Sequence, residues 1–391
     1  MTSTLPSLLI SIPDGVIDLG WGHPSPRLHP TESLARVSQS VLGQQSAVPL
    51  QYGAVQGFGP LLESLAAYLS TQETYGGAIS PESLFLTAGA SAAIDLATTL
   101  YATAGDTVVV EEPTYYLIEQ IFVDHGLNVV GVPTDADGLD TDALADLLAS
   151  DGFPTPRLLY TIPTYQNPNG SVLPLHRRRH LIELAQRYGF TIIADEVYQL
   201  LNYGTPPPPP MAVLDDSPDG CAISLGSFSK ILSPGMRLGW VHASPGIVRR
   251  FVDSGVAASG GGLSHFSATL AHAALEMGML QDHIDTLRQV YGQRHDDVAS
   301  LLRSEFGDSV EFTSPGGGYF YWLTLRGDIN TDSLLARARE AGVSYRPGTA
   351  FSASGGFTDA LRISISLYES DELAVGIHRL ADALHAHGTH R

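Results

Sequence analysis

Ala222-Ile223-Ser224-Leu225-Gly226-Ser227-Phe228-Ser229-Lys230 is the stretch whose reading organises the rest of the chain. Residues 222–225 have the length and apolar character of a buried strand. Two hydroxyls and an amine follow directly, and Arg237 stands seven residues beyond the lysine in Pro234-Gly235-Met236-Arg237-Leu238-Gly239. Lys230 is the only lysine among the 21 basic residues. An arginine stays protonated, whereas a lysine amine can lose its proton and attack a carbonyl. Either codon bias left one lysine by chance, or this amine is kept for chemistry.

The same strand pattern recurs on both sides. Residues 107–110, 158–161 and 191–194 are short, apolar and rich in β-branched side chains. Amphipathic stretches lie between them, such as residues 175–188 with Gly189 as a C-terminal stop. Strands alternating with helices at this spacing predict a mostly parallel sheet covered by helices. The last hundred residues differ: a long helix over 279–303 leads to strand candidates at 320–323, 343–345 and 361–366. They predict a separate α+β unit joined by the N-terminal segment. The five prolines 206–210 predict a stiff, extended surface segment, and residues 259–262 (Ser-Gly-Gly-Gly) a flexible loop. The end of the chain, with His385, His387 and His390, predicts a frayed terminus rather than a metal tract.

Composition bounds the function. The 391 residues are 43% hydrophobic, enough for a real core, and carry a formal charge of −20. Nucleic acid and anionic membrane surfaces need clustered positive charge, so neither is expected as a partner. No apolar stretch is long enough for a transmembrane helix, and residues 1–14 lack a secretory pattern, which predicts a cytoplasmic protein. Cys221 is the only cysteine and cannot form an intrachain disulfide. No metal-ligand cluster is expected.

Ligands of open α/β sheets bind at the carboxyl ends of the strands. After residues 85–86 comes Thr87-Ala88-Gly89-Ala90-Ser91, with a helix expected from Ala92. Small residues there make either an anion site or an ordinary cap near Ser91. After residue 194 comes Asp195-Glu196-Val197-Tyr198, either a carboxylate needing a buried partner or an exposed loop acid. Lys230 and Arg237 follow the next strand. Together these supply a phosphate cradle, a carboxylate, a phenol, an amine and a guanidinium at one sheet edge. Those groups suit pyridoxal phosphate: an amine for its aldehyde, a carboxylate for its ring nitrogen, N–H groups and arginine for its phosphate.

From residue 18 to about residue 380 the chain resembles the fold-type I pyridoxal-phosphate aminotransferases of class I/II, most of all the 2-aminoadipate/kynurenine branch. The resemblance rests on three runs in family order: Pro163-Thr164-Tyr165-Gln166-Asn167-Pro168-Asn169-Gly170, Ala194-Asp195-Glu196-Val197-Tyr198, and Ser227-Phe228-Ser229-Lys230 through Arg237-Leu238-Gly239-Trp240. It implies a large cofactor domain (49–285) with a mostly parallel seven-stranded sheet between helices. A smaller α+β domain would be formed by 286–391 with the N-terminal segment 1–48. It implies that Lys230 holds pyridoxal 5'-phosphate covalently and shuttles a proton, that Asp195 pairs with the pyridine nitrogen, and that Asn167 and Tyr198 bond the ring's phenolic oxygen. Gly89, Ala90, Ser91, Ser227 and Arg237 would hold the phosphate, and Tyr115 would stack on the ring. Arg362 would clamp the substrate α-carboxylate, with Gly22 and Asn167 beside the substrate. Tyr52 would reach the cofactor phosphate of a second copy, so a homodimer with shared active sites is implied.

The implied reaction moves an amino group between an L-amino acid and a 2-oxo acid in a ping-pong scheme through pyridoxamine phosphate. A β-lyase, cyclase or oxidase would use the same handles. A ligand-sensing module fused to a DNA-binding domain is disfavoured by the charge and by the 17 residues before Asp18, and a dinucleotide enzyme by the lack of G-x-G-x-x-G after a strand. Four points stand apart from the family pattern: Ala90-Ser91 leaves more of the phosphate to backbone N–H groups, Tyr116 follows Tyr115 so that either ring can stack, Tyr165 sits where many relatives have other residues, and Arg346 occupies a place where an apolar residue is common. Arg346 is either a second substrate arginine or a structural residue.

Overall fold

The computed structural model describes residues 7–217 and 219–388. Its main sheet has eight strands in the spatial order Leu84–Thr87, Gly239–His242, Ala222–Ser227, Thr191–Asp195, Leu158–Thr161, Thr107–Glu112, Asn128–Asp135 and Gly138–Leu139. The five from Ala222–Ser227 to Asn128–Asp135 run parallel, Gly239–His242 runs antiparallel to both neighbours, and Gly138–Leu139 closes the edge antiparallel. The expected seven strands become eight because that two-residue hairpin return adds an edge.

The alternating apolar residues explain why helices cover both faces. Val108, Val110, Leu158, Tyr160, Ile193, Ile223 and Leu225 pack into one core cluster. Their sequence neighbours Val109, Leu159, Ile192, Ala194 and Ala222 pack into another. Successive side chains leave a strand on opposite sides, so a strand apolar at every position must be buried on both. Each fully buried Leu or Ile contributes about 1.5–3 kcal/mol relative to exposure. The helix Leu175–Tyr188 buries Arg178, Leu181, Ile182, Leu184 and Ala185 on one stripe and ends at Gly189, whose φ of 79° is the left-handed conformation that glycine adopts without strain.

A second, antiparallel sheet runs Val310–Glu311, Phe320–Leu325, Ala360–Ser364, Arg346–Pro347. The N-terminal Ile17–Asp18 pairs in parallel with Val343–Ser344, and Leu19 continues by donating its N–H to Ser344 O while accepting from Ser364 N–H. This stitching carries Gly20 to His23 across the mouth of the main sheet. The long helix is Met279–Phe306, three residues longer than expected.

Four expectations change. The proline run is not a surface segment: Pro207 and Pro210 are buried, and the Pro208 and Pro209 carbonyls accept hydrogen bonds from Gln199 and Arg178. Ser259 and Gly260 end the helix Gly255–Gly260, so only Gly261 and Gly262 are loop. The helix after the phosphate-loop candidate starts at Ala90, because Gly89 at φ 89° turns the chain into it. The final helix, Ser370–Gly388, includes His385 and His387, which replaces fraying with helix up to that point; His390 lies outside the described residues.

Candidate active site

Lys230 lies in the one-turn helix Phe228–Ile231, which the Thr-free strand end Ala222–Ser227 feeds directly. Its Nζ donates to Gly22 O at 3.2 Å and stands 5.9 and 5.5 Å from the ring centroids of Tyr198 and Tyr319. Burial, with Arg362 and Arg237 nearby, brings its pKa down to about 8, against the pull of the Asp195 charge. Gly22 is required where it is: a Cβ there would come within 2.3 Å of Phe320 Cζ.

Asp195 ends the strand Thr191–Asp195 and is buried. Tyr160 on the neighbouring strand donates its hydroxyl to Asp195 Oδ2 at 2.9 Å, while Oδ1 has no partner. Burial raises its pKa to about 6, opposed by the Tyr160 hydrogen bond and the Lys230 charge. An orphaned carboxylate oxygen in the interior is costly unless a donor arrives.

The helix Ala90–Tyr101 starts at Gly89 with no side-chain cap, so its first N–H groups lack intrahelical acceptors. A Cβ on Gly89 would meet Arg237 Nη2 at 2.9 Å, which places that guanidinium beside the helix start. Arg237 Nη2 also donates to Ala88 O. Ser227 Oγ accepts from Ser229 N–H at 3.1 Å, which leaves the hydroxyl proton free to donate elsewhere. Ser91 is exposed in the first turn of the Ala90–Tyr101 helix.

Arg362 in Ala360–Ser364 is buried. It donates to Asn167 Oδ1 at 2.6 Å and to Gly20 O at 2.5 Å, while its Nε has no partner. Its guanidinium carbon stands 4.1 Å from the Phe320 centroid and 4.8 Å from that of Phe351. Burial lowers its pKa to about 10, so it stays charged at neutral pH. Tyr198 is buried edge-on against Tyr319 at 5.2 Å, and burial pushes its phenol up. Tyr115 and Tyr116 meet edge to face at 5.6 Å. Burial raises Tyr115 to about 12, with Asp195 contributing, while Tyr116 faces Arg346 and Arg362. Tyr52 is 88% exposed.

Hydrogen bonds and charge interactions thus bring Lys230, Asp195, Arg237, Arg362, Asn167, Tyr115 and Tyr198 together. The model "Aminotransferase class I and II" matches residues 15–380. The chain belongs to this family. This aminotransferase is 35% identical over 374 residues to an aromatic-amino-acid aminotransferase of Thermococcus litoralis, covering 94% of this chain and 88% of that protein. It is 31% identical to a 2-aminoadipate transaminase of Thermus thermophilus, over 95% of this chain and 90% of that one. A kynurenine aminotransferase structure from Pyrococcus horikoshii superposes with a TM-score of 0.88 at 33% identity, covering 96% of this chain and 92% of that one.

The enzyme is thus a pyridoxal-phosphate-dependent transaminase that moves an amino group between an amino acid and a 2-oxo acid. The donor set fits its cofactor: an amine with a lowered pKa, an orphaned buried carboxylate oxygen and an uncapped helix start beside an arginine. Bound there, pyridoxal phosphate supplies an electron sink for the electrons of a substrate Cα–H bond. Sequence reasoning missed Tyr160, Tyr319, Phe320 and the Gly20 carbonyl. Tyr160 had a signal, since a tyrosine inside a buried strand needs a partner for its hydroxyl. The others are brought in by the second sheet and carried none.

Proposed function

We propose the following division of labour within the transaminase. Lys230 Nζ would hold the cofactor through its aldehyde carbon with loss of water, give up that bond to the substrate's own amine, and then, as a free amine, take the proton from the substrate Cα and return it on the way to product. Asp195 Oδ1 accepts from the protonated pyridine nitrogen, and Tyr160 keeps that carboxylate oriented. The N–H groups at Gly89, Ala90 and Ser91, with Ser227 and Arg237, hold the phosphate. Tyr115 stacks on the ring, while Tyr116 turns towards the arginines. Arg362 takes the α-carboxylate with its fork, and Asn167, already its hydrogen-bond partner, sits between substrate and ring with Tyr198. Fixing the carboxylate sets which Cα bond faces the ring, which is an orientation effect.

The single observation that carries this is the chain's sole lysine, poised near pKa 8 in the same cleft as the unpartnered Asp195 oxygen. Borohydride reduction of the purified enzyme should leave a covalent adduct on the peptide holding Lys230. Lys230→Ala should fold, bind cofactor without an adduct, and lose about 10²- to 10⁴-fold in turnover. An adduct on no peptide, or near-normal turnover in the variant, overturns the assignment.

The exposed Tyr52 and its apolar neighbours support a homodimer in which Tyr52 serves the other copy's phosphate. The cytoplasm, where free amino and oxo acids are turned over, is the proposed location. The proposed division into 1–48, 49–285 and 286–391 places one boundary inside the helix Met279–Phe306, which would then be shared by both units.

A further inference from the structure

Glu111 is a buried carboxylate with no part in the cofactor or substrate contacts. It is the penultimate residue of the strand Thr107–Glu112, is 1% exposed, and forms no ion pair among the described residues. Burial pushes its pKa up, its three hydrogen-bond donors oppose the shift, and the Asp195 charge adds to it. Its Oε1 accepts from Thr161 Oγ1 at 2.5 Å, and its Oε2 from Ile162 N–H and Gln166 Nε2, each at 3.1 Å. The parallel register sets Val110 beside Tyr160, so Glu111 meets the end of Leu158–Thr161, where the chain leaves for Asn167.

Gln166 is fully buried, and its amide is engaged on both sides. Nε2 donates to Glu111 and, at 2.8 Å, to Pro113 O, while Oε1 accepts from Asn169 N–H at 2.8 Å. One amide thereby joins the turn that leads to Tyr115 and the turn that carries Asn167. Asn167 Oδ1 in turn accepts from Arg362 Nη1 at 2.6 Å. A continuous path runs from Glu111 through Gln166 and Asn167 to Arg362.

We propose that Glu111 is a positioning residue of the transaminase: it locks the Gln166 amide, which fixes the Asn167 turn and so aims Arg362 at the substrate α-carboxylate and Asn167 at the cofactor's ring oxygen. This rests on the reading that Arg362 and Asn167 make those two contacts. A carboxylate suits the task because it only accepts, and all three of its neighbours donate. An amide in its place turns an N–H group towards one of those donors. If Gln166 flipped to relieve that clash, its own Nε2 would face Asn169 N–H.

Two readouts besides turnover test this. Valerate, a monocarboxylate, titrated into the holoenzyme by calorimetry reports Arg362. The pH midpoint of the bound cofactor's visible band reports Asn167, because a donor on the ring oxygen makes the neighbouring Lys230 nitrogen hold its proton less tightly. Glu111→Gln should weaken valerate about tenfold, the size of one lost hydrogen bond to a charged group, and move the midpoint upward. Gln166→Met cuts the path at its other end while leaving Glu111 its bonds to Thr161 and Ile162, and should do the same. The double variant should be no worse than the more affected single one, because both act through one contact. Urea unfolding is measured on each protein. A stability loss with valerate affinity and midpoint both unchanged is what a merely structural glutamate gives, and it overturns the proposal, as do additive effects in the double variant. Should Glu111→Gln not fold, Gln166→Met decides by the same two readouts. Arg362→Met separates the two levels: if it binds valerate as the wild type does, the underlying site reading fails and this one with it. If it loses valerate while Glu111→Gln and Gln166→Met keep it, the role of Glu111 alone is overturned.

Discussion

The Lys230 amine loses its proton near pH 8 because burial disfavours the ammonium and two arginines repel it, while the Asp195 carboxylate resists the change. The neutral amine attacks a carbonyl, so trapping of added pyridoxal phosphate by cofactor-free enzyme should rise with pH with a midpoint near 8. Asp195→Asn removes the charge that favours the ammonium, so the midpoint should move lower. Adduct yield against pH checks both, and a midpoint at the ordinary 10.5 of a free lysine contradicts them. The two groups also act on stability with opposite signs. Between pH 8 and 10.5 the unfolded chain binds more protons at Lys230 than the native one, so this contribution to stability rises with pH. Between pH 3.8 and 6 the native state binds more protons at Asp195, so its contribution falls as pH rises.

Among the elements, the helix Leu175–Tyr188 does more than cover the sheet. Its fully buried Arg178 donates to the carbonyls of Pro163, Leu173 and Pro209, to Thr164 Oγ1, and to Glu196 Oε1 at 3.2 Å. One side chain thereby ties together the loop that carries Asn167, the proline run and the residue after Asp195. Glu196 Oε1 also accepts from Met211 N–H, at the end of the prolines. Arg178→Met leaves the buried Glu196 carboxylate without its counter-charge, and should cost about 3–5 kcal/mol. Urea unfolding followed by circular dichroism measures it, and a loss below about 1 kcal/mol contradicts the account.

Across the whole molecule, the apolar exposure concentrated at Val48, Leu50 and Tyr52 is unusual for a face left to water. In the proposed homodimer a second copy covers this exposed face. Sedimentation should find a two-chain particle at micromolar concentration. Tyr52→Phe should keep the particle and weaken cofactor retention several-fold, the size of one lost hydrogen bond. A single-chain particle, or unchanged retention, contradicts the shared site.

Much of this was legible in residue order, and the reason is locality. Strand and helix periods depend on neighbours a few residues apart, so Leu158–Thr161 and Leu175–Tyr188 were readable with both ends in place. The Asp195 and Lys230 groups were readable because chemistry at a parallel sheet collects at strand ends. The proline run was misread because a proline stretch keeps its carbonyls, and whether Gln199 and Arg178 reach them is a matter of packing. Likewise, order along the chain determined that an amine, a carboxylate and a helix start would share one sheet edge. Only the folded molecule decided that Arg346 and Tyr160 would stand against Arg362 and Asp195, residues 16 and 35 positions away in the chain. Such contacts are set by strand register and by how the two sheets meet, which no local pattern encodes.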